Sequence, residues 1–153
     1  MKLDRINANL AKVDWAGMSW TYQDPLAYAE LDRRISEAGR KLSLIVYSDL
    51  VRGIQFRIPN VQNGSPYTVD TSEWTGLDRA IIGSFLGELS ASSYLKAGFL
   101  ASALVVNKSE YAPSQHFFEW MTTLGVLTDK SDDTLPMFWA DQVNKAHNYY
   151  GRR

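Results

Sequence analysis

A chain of 153 residues, 45% apolar and 22% charged, has the size and balance of one domain around one core, which excludes long disordered stretches. It contains no cysteine, so disulfide staples, thiolate nucleophiles, zinc-thiolate sites and iron–sulfur clusters are excluded together. A net charge of −1 gives the molecule no basic field to attract nucleic acid.

The first residues lack the apolar stretch of a signal peptide, and no apolar run reaches the roughly eighteen residues of a membrane span. The sequence therefore reads as cytoplasmic, without a membrane partner. Leu3, Ile6, Leu10 and Val13 recur at helical spacing and predict a helix over residues 2–13. Trp15, Trp20 and Tyr22 follow, with Gly17 among them. They read as a packed turn over the core, with a base-stacking platform as the less common alternative. Asp24-Pro25 is a helix start, Asp as N-cap and Pro in the first helical position, and Gly39 is the expected C′ stop. Asp32, Arg33, Arg34 and Glu37 would form its solvated outer surface.

The β-branched run from Ser43 to Tyr47 is a strand or the lead into a two-turn helix ending near Ile54. Asn63-Gly64 is a type I′ turn signal, and its flanks, Ile54 to Ile58 and Tyr67 to Val69, alternate as the arms of a small hairpin would. Thr75-Gly76-Leu77-Asp78 has the pattern of a capping box and opens the longest predicted helix, over 76–96. Leu77, Ile81, Phe85 and Leu89 form its apolar stripe, widened by Ile82 and Leu86. Ala80, Gly83, Ser84, Gly87, Ser90, Ala91 and Ser92 form another face made of small side chains. Glycine costs a helix about 1 kcal/mol relative to alanine, so something is expected to approach that face closely. Another helix is the first expectation, and a partner protein or nucleic-acid backbone the second.

The apolar run from Leu100 to Val106 predicts a buried strand. Ser114 is placed to cap a helix carrying Phe117, Phe118, Trp120, Met121 and Leu124 and closing at Gly125. A last helix carries Leu135, Trp139, Val143, Ala146 and Tyr150 in register, with Pro136 in its first turn and Gly151 past its end. The expected fold is α+β, a mainly helical single domain over residues 1–153 with a small sheet or hairpin.

Catalytic signatures are sparse. His116 and His147 are the only histidines, and neither accompanies a Gly-x-Ser-x-Gly turn. Glu110, His116 and Glu119 could ligate a metal, although a surface histidine beside a carboxylate is far commoner than a site. Lys108 ends an apolar run as a restriction-type nuclease would require, but Val106 stands where a carboxylate is needed. Gly83-Ser84-Phe85-Leu86-Gly87 lacks the lysine of a phosphate loop. No cofactor is expected.

Three short stretches, Tyr47-Ser48-Asp49-Leu50-Val51, Arg79-Ala80-Ile81-Ile82-Gly83 and Leu104-Val105-Val106, resemble the winged-helix domain of the alkylguanine-DNA alkyltransferases and alkyltransferase-like proteins. Those families carry a Tyr-Gly-x-Leu-Ala helix, an Arg-Ala-Val-Gly recognition helix and a Pro-Cys-His-Arg-Val strand. The resemblance implies a winged-helix-like segment over about 43–110 with the other helices packed on it. Ala101-Ser102-Ala103-Leu104 occupies the position of the alkyl-accepting cysteine and its histidine, which excludes alkyl transfer on chemistry. The helix of Arg79 also has one residue more before Gly83 than the family spacing, and a long insertion separates the two helices. The segment Leu104 to Lys108, with Pro113 and Phe117-Phe118, also resembles uncharacterised small bacterial proteins, which implies no known activity.

These features lead to a non-enzymatic macromolecule-binding protein, such as an inhibitor, immunity or adaptor protein of bacterial or phage origin. Charge favours a protein partner over DNA. The expected binding residues are Arg52, Arg57, Asn63, Arg79, Gly83, Ser84, Gly87 and Lys96. One alternative is a DNA-binding winged helix, with Arg79 entering a groove and Ser84 or Lys96 touching phosphates. The other is a metal-dependent hydrolase using Glu110, His116 and Glu119.

Overall fold

The computed structural model describes residues 2–18, 24–128 and 133–152. Trp20 and Tyr22 lie outside them. The described residues form a mainly helical α+β fold: α1 (Lys2–Lys12), α2 (Pro25–Arg40), β1 (Ile45–Val46), α3 (Tyr47–Val51), α4 (Gly76–Ala97), β2 (Val105–Val106), α5 (Gln115–Thr123) and α6 (Thr134–Gly151). The sheet is a parallel pair, Ile45 beside Val105 and Val46 beside Val106. The expected hairpin contracts to one antiparallel bridge, Phe56 with Tyr67. Between them Gln62, Asn63 and Gly64 all take positive φ, and Ser65 N–H donates to Gln62 O at 3.0 Å. Asn63-Gly64 thus makes the tight left-handed turn its sequence specifies, while the arms beyond it are too irregular for a ladder.

The helix ends follow from local chemistry. The Asp24 carboxylate accepts from Ala27 N–H and caps α2, and its other oxygen accepts from Arg57 N–H at 2.6 Å, which ties the loop to the helix start. Gly39 does not stop α2. It lies buried inside the helix, and the left-handed position falls to Leu42 at φ 54°. Ser43 N–H donates to Ala38 O and Leu42 N–H to Gly39 O, the two bonds of a Schellman motif with leucine where glycine is usual. The α5 terminus repeats the motif with the expected residue: Gly125 has φ 79°, Val126 N–H donates to Met121 O, and Gly125 N–H to Thr122 O. Thr75 and Asp78 close the capping box at the start of α4. Ser114 stands at the N-cap of α5, but its side chain makes no capping bond and instead accepts the Tyr47 hydroxyl at 3.2 Å.

Two apolar clusters share the interior. One joins α2, α3 and α4 through Leu31, Ile35, Leu50, Phe56, Ile81 and Phe85. The other joins α1, α5 and α6 through Leu10, Trp15, Phe117, Met121 and Phe138. Trp15 is a core residue: its ring packs on Tyr94 and Trp120, and its indole N–H donates to Leu10 O at 3.0 Å. Between the clusters runs the segment 99–106, buried throughout. It is a strand only at its last two residues, because Ala101–Leu104 forms a 3₁₀ turn. The turn sends Ala101 and Leu104 into the first cluster and Leu100 and Ala103 into the second.

A buried turn exposes its peptide groups to no water, so each must find a partner inside the protein. The neighbouring helices supply them. Gln142 Oε1 accepts from Leu100 N–H at 2.8 Å, Ser93 Oγ accepts from Ala101 N–H and donates to Phe99 O, and Ser90 Oγ accepts from Ser102 N–H. The Trp139 indole donates to Ala103 O. This need explains Ser90 on the small-residue face of α4, and Ser93 one turn beyond it. In α6 the expected Ala146 and Tyr150 are buried, but in the first half of the helix the buried positions are Phe138 and Gln142, while the expected Leu135, Trp139 and Val143 are half-buried at the flank.

Candidate functional site

The expected binding residues fall into two groups. Arg79 and Gly83 are exposed in the first half of α4, Ser84 is half-buried beside them, and Gly87 is buried. A methyl group placed on Gly83 would meet no atom within 4 Å. The face expected to be approached closely is thus divided: the Ala101–Leu104 turn meets it at Ser90, and its N-terminal part, with the exposed Ala80 and Gly83, is open. Lys96 stands at the other end. Seventeen residues at about 1.5 Å rise put it roughly 25 Å from Arg79 along the axis, so the structure does not bring these two cations to one small site.

Arg52 and Arg57 are exposed on the α3 side. The guanidinium of Arg52 pairs with Asp49 within the same helix turn. The carbonyl of Arg52, with those of Asp49 and Leu50, accepts from Arg34. Arg34 was expected on a solvated face. It is instead the cap of α3, satisfying carbonyls that a five-residue helix leaves open. Its orientation is held by Glu30, whose carboxylate is kept at about 2 by hydrogen bonds from Arg33 and Arg34. Asn63 is exposed at the tip of the left-handed turn.

The metal combination does not assemble. His116 Nδ1 lies 3.7 Å from Glu119 Oε2 with both side chains exposed, and among the described residues no three histidine or carboxylate side chains come together to hold an ion. Nor does any helix among the described residues have the length and apolarity to cross a membrane.

Sequence reasoning missed a cleft. Where α2, the C-terminal half of α4 and the end of α6 meet, a cavity of about 280 Å³ opens, lined by Tyr28, Asp32, Ser36, Arg40, Lys96, Phe99, Tyr149 and Tyr150 among others. Its polar groups come from helices far apart in sequence, and of the expected residues Lys96 alone is among them. The surrounding protein raises the Asp32 carboxyl above its ordinary range, with Lys96 pulling the other way. Burial raises the Tyr28 hydroxyl, opposed by a bond with Ser92. Burial also raises the Tyr150 hydroxyl, and the charge of Asp32 adds to the effect. One carboxylate therefore sits within electrostatic reach of two tyrosines and a lysine, in a polar hollow open to solvent.

No family model, curated protein or solved structure matches this chain.

Proposed function

We propose that this chain is a non-enzymatic protein that binds a partner protein through the open first half of α4, in the manner of an inhibitor, immunity or adaptor protein of bacterial or phage origin. The observation that carries this reading is Gly83. A glycine inside a helix costs about 1 kcal/mol relative to alanine, and here no neighbour requires its missing side chain. A surface approached by another backbone supplies the reason that the fold does not. Leu77, 43% exposed one helical turn before Ala80, adds apolar area beside that face, and a net charge of −1 favours protein over phosphate.

A second reading, a DNA-binding protein with a winged-helix-like arrangement of α3 and α4, draws support from Arg79, exposed in the first turn of what would be the recognition helix. One experiment separates them. Tagged protein is mixed with bacterial lysate, with and without nuclease, and the retained material is identified and weighed against the bait. A stoichiometric protein that survives nuclease and is lost on Gly83→Leu supports the protein-binding reading. Retention of DNA alone, lost on Arg79→Glu and falling steeply with salt through counterion release, replaces it with the second.

A further inference from the structure

We propose that the cleft between α2, α4 and α6 is a binding site for a small zwitterion of the α-amino-acid type, its ammonium group on Asp32 and its carboxylate on Lys96. The two charges come from different helices and line the same cavity. They are close enough for Lys96 to influence the Asp32 carboxyl, yet no hydrogen bond or ion pair to another described residue ties up either side chain. No ion pair joins the two, and both are exposed, so each charge is open to a ligand. A molecule carrying both signs a few ångströms apart bridges the two, whereas a cation or an anion alone leaves one group facing its own kind or nothing.

The walls agree with that chemistry. Tyr28 and Tyr149 are among the lining residues, aromatic groups of the kind that suits an ammonium, and Leu89 and Phe99 add apolar lining for the side chain of the ligand. The volume, about 280 Å³, is just under the roughly 300–1,000 Å³ of pockets for drug-sized molecules and suits a metabolite-sized guest. The second charged cation of the cleft, Arg40, is already paired with Glu37 at 2.9 Å, which leaves Lys96 as the group for the carboxylate. The site is separate from the open face of α4 and stands or falls independently of the protein-binding reading.

The test is titration of the intact chain, followed by amide chemical shifts and calorimetry, with L-phenylalanine and L-leucine as zwitterions, phenethylamine as the cation-only probe and 3-phenylpropionate as the anion-only probe. Saturable binding of the amino acids, with shifts confined to the three helix segments lining the cleft, is the expected result. Each single-charge probe should bind about tenfold or more weaker, the loss of one charged contact of about 1.4 kcal/mol. Asp32→Asn and Lys96→Met should each weaken the amino acids by a similar factor while the unfolding midpoint stays within the range of the parent or rises. Phenethylamine binding as tightly as phenylalanine, 3-phenylpropionate doing so, or no saturable shift with any of the four would each overturn the proposal.

Discussion

The ring of Tyr150 lies directly on Gly39: a methyl group at that glycine would stand 2.3 Å from Tyr150 Cδ2 and 2.8 Å from its Cβ. This is how α2 and α6 pack closely beside the first apolar cluster, and it gives Gly39 a purpose different from ending a helix. Gly39→Ala should therefore destabilise the protein by about 1–3 kcal/mol, the usual cost of overpacking a filled site, seen as a lower urea midpoint at unchanged slope. Tyr150→Ala in the same background should return part of the Gly39→Ala penalty, because the 2.3 Å contact with Cδ2 goes with the ring while the contact with Cβ stays.

Gly83 should behave in the opposite way. With open space at its Cβ position, Gly83→Ala should raise stability by about 0.5–1 kcal/mol through helix propensity alone. Thermal unfolding checks the sign. A destabilised variant would show that the position is constrained inside the fold, and the argument for an external partner at this face would fail.

Leu42 occupies a left-handed backbone position that costs a branched side chain about 1–2 kcal/mol, and 65% of it is exposed, so little packing offsets the strain. Leu42→Gly should stabilise by about 1 kcal/mol, a rise of roughly 2–4 °C in Tm for a domain of this size. Leu42→Val, more restricted at the same φ, should lower it.

The Nη1 group of Arg34 donates to carbonyls around the end of α3 while its Nε holds Glu30, two sets of acceptors that the single nitrogen of a lysine cannot span in the same planar geometry. Arg34→Lys should keep the charge yet lose about 1–2 kcal/mol, the scale of hydrogen bonds to a charged donor. Amide exchange should quicken first in residues 47–52. A loss spread evenly over the whole chain would argue against a local capping role.

Asp78, 1% exposed, joins the bridge loop to α4. Burial raises its pKa, but the hydrogen bonds from Tyr67 and Thr75 together outweigh that, and the net shift is downward. A carboxyl lowered in the folded state contributes stability that is complete above its unfolded value and is lost as pH falls through the lowered one. Asp78→Asn should therefore lose about 1–3 kcal/mol at neutral pH, the cost of weakening buried bonds to a charged acceptor, and flatten the acid limb of the stability curve. Asp32 runs the other way. Its raised pKa means that ionisation at neutral pH opposes folding, so Asp32→Asn should be neutral or stabilising there, as expected of a residue kept for a ligand.

What could be read from the chain in advance was whatever local chemistry decides. The caps at Asp24, Thr75 and Asp78, the turn at Asn63-Gly64 and the stop at Gly125 depend on a few adjacent residues, and the structure has each where the sequence puts it. The failures arise where distant packing outweighs local preference. Gly39 has the look of a helix stop but answers to Tyr150, and Leu100 to Leu104 have the composition of a strand but turn to face two cores. Gln142 is polar in a buried line, and only the unpaired Leu100 amide, invisible in one dimension, accounts for it. The cleft was unreadable for the same reason, since Asp32 and Lys96 become neighbours only through the packing of α2 on α4.

The strand pair has a bearing on how the molecule is made. Ile45 and Val105 are hydrogen-bonded neighbours, yet α3, the bridge loop and all of α4 lie between them in the chain. Closing so long a loop costs chain entropy that two residues of ladder do little to offset, so the pair should form no earlier than the docking of α4 on the turn before Val105. Refolding followed by amide protection should therefore show the amides of the pair protected no sooner than Trp139 returns to its bond with Ala103.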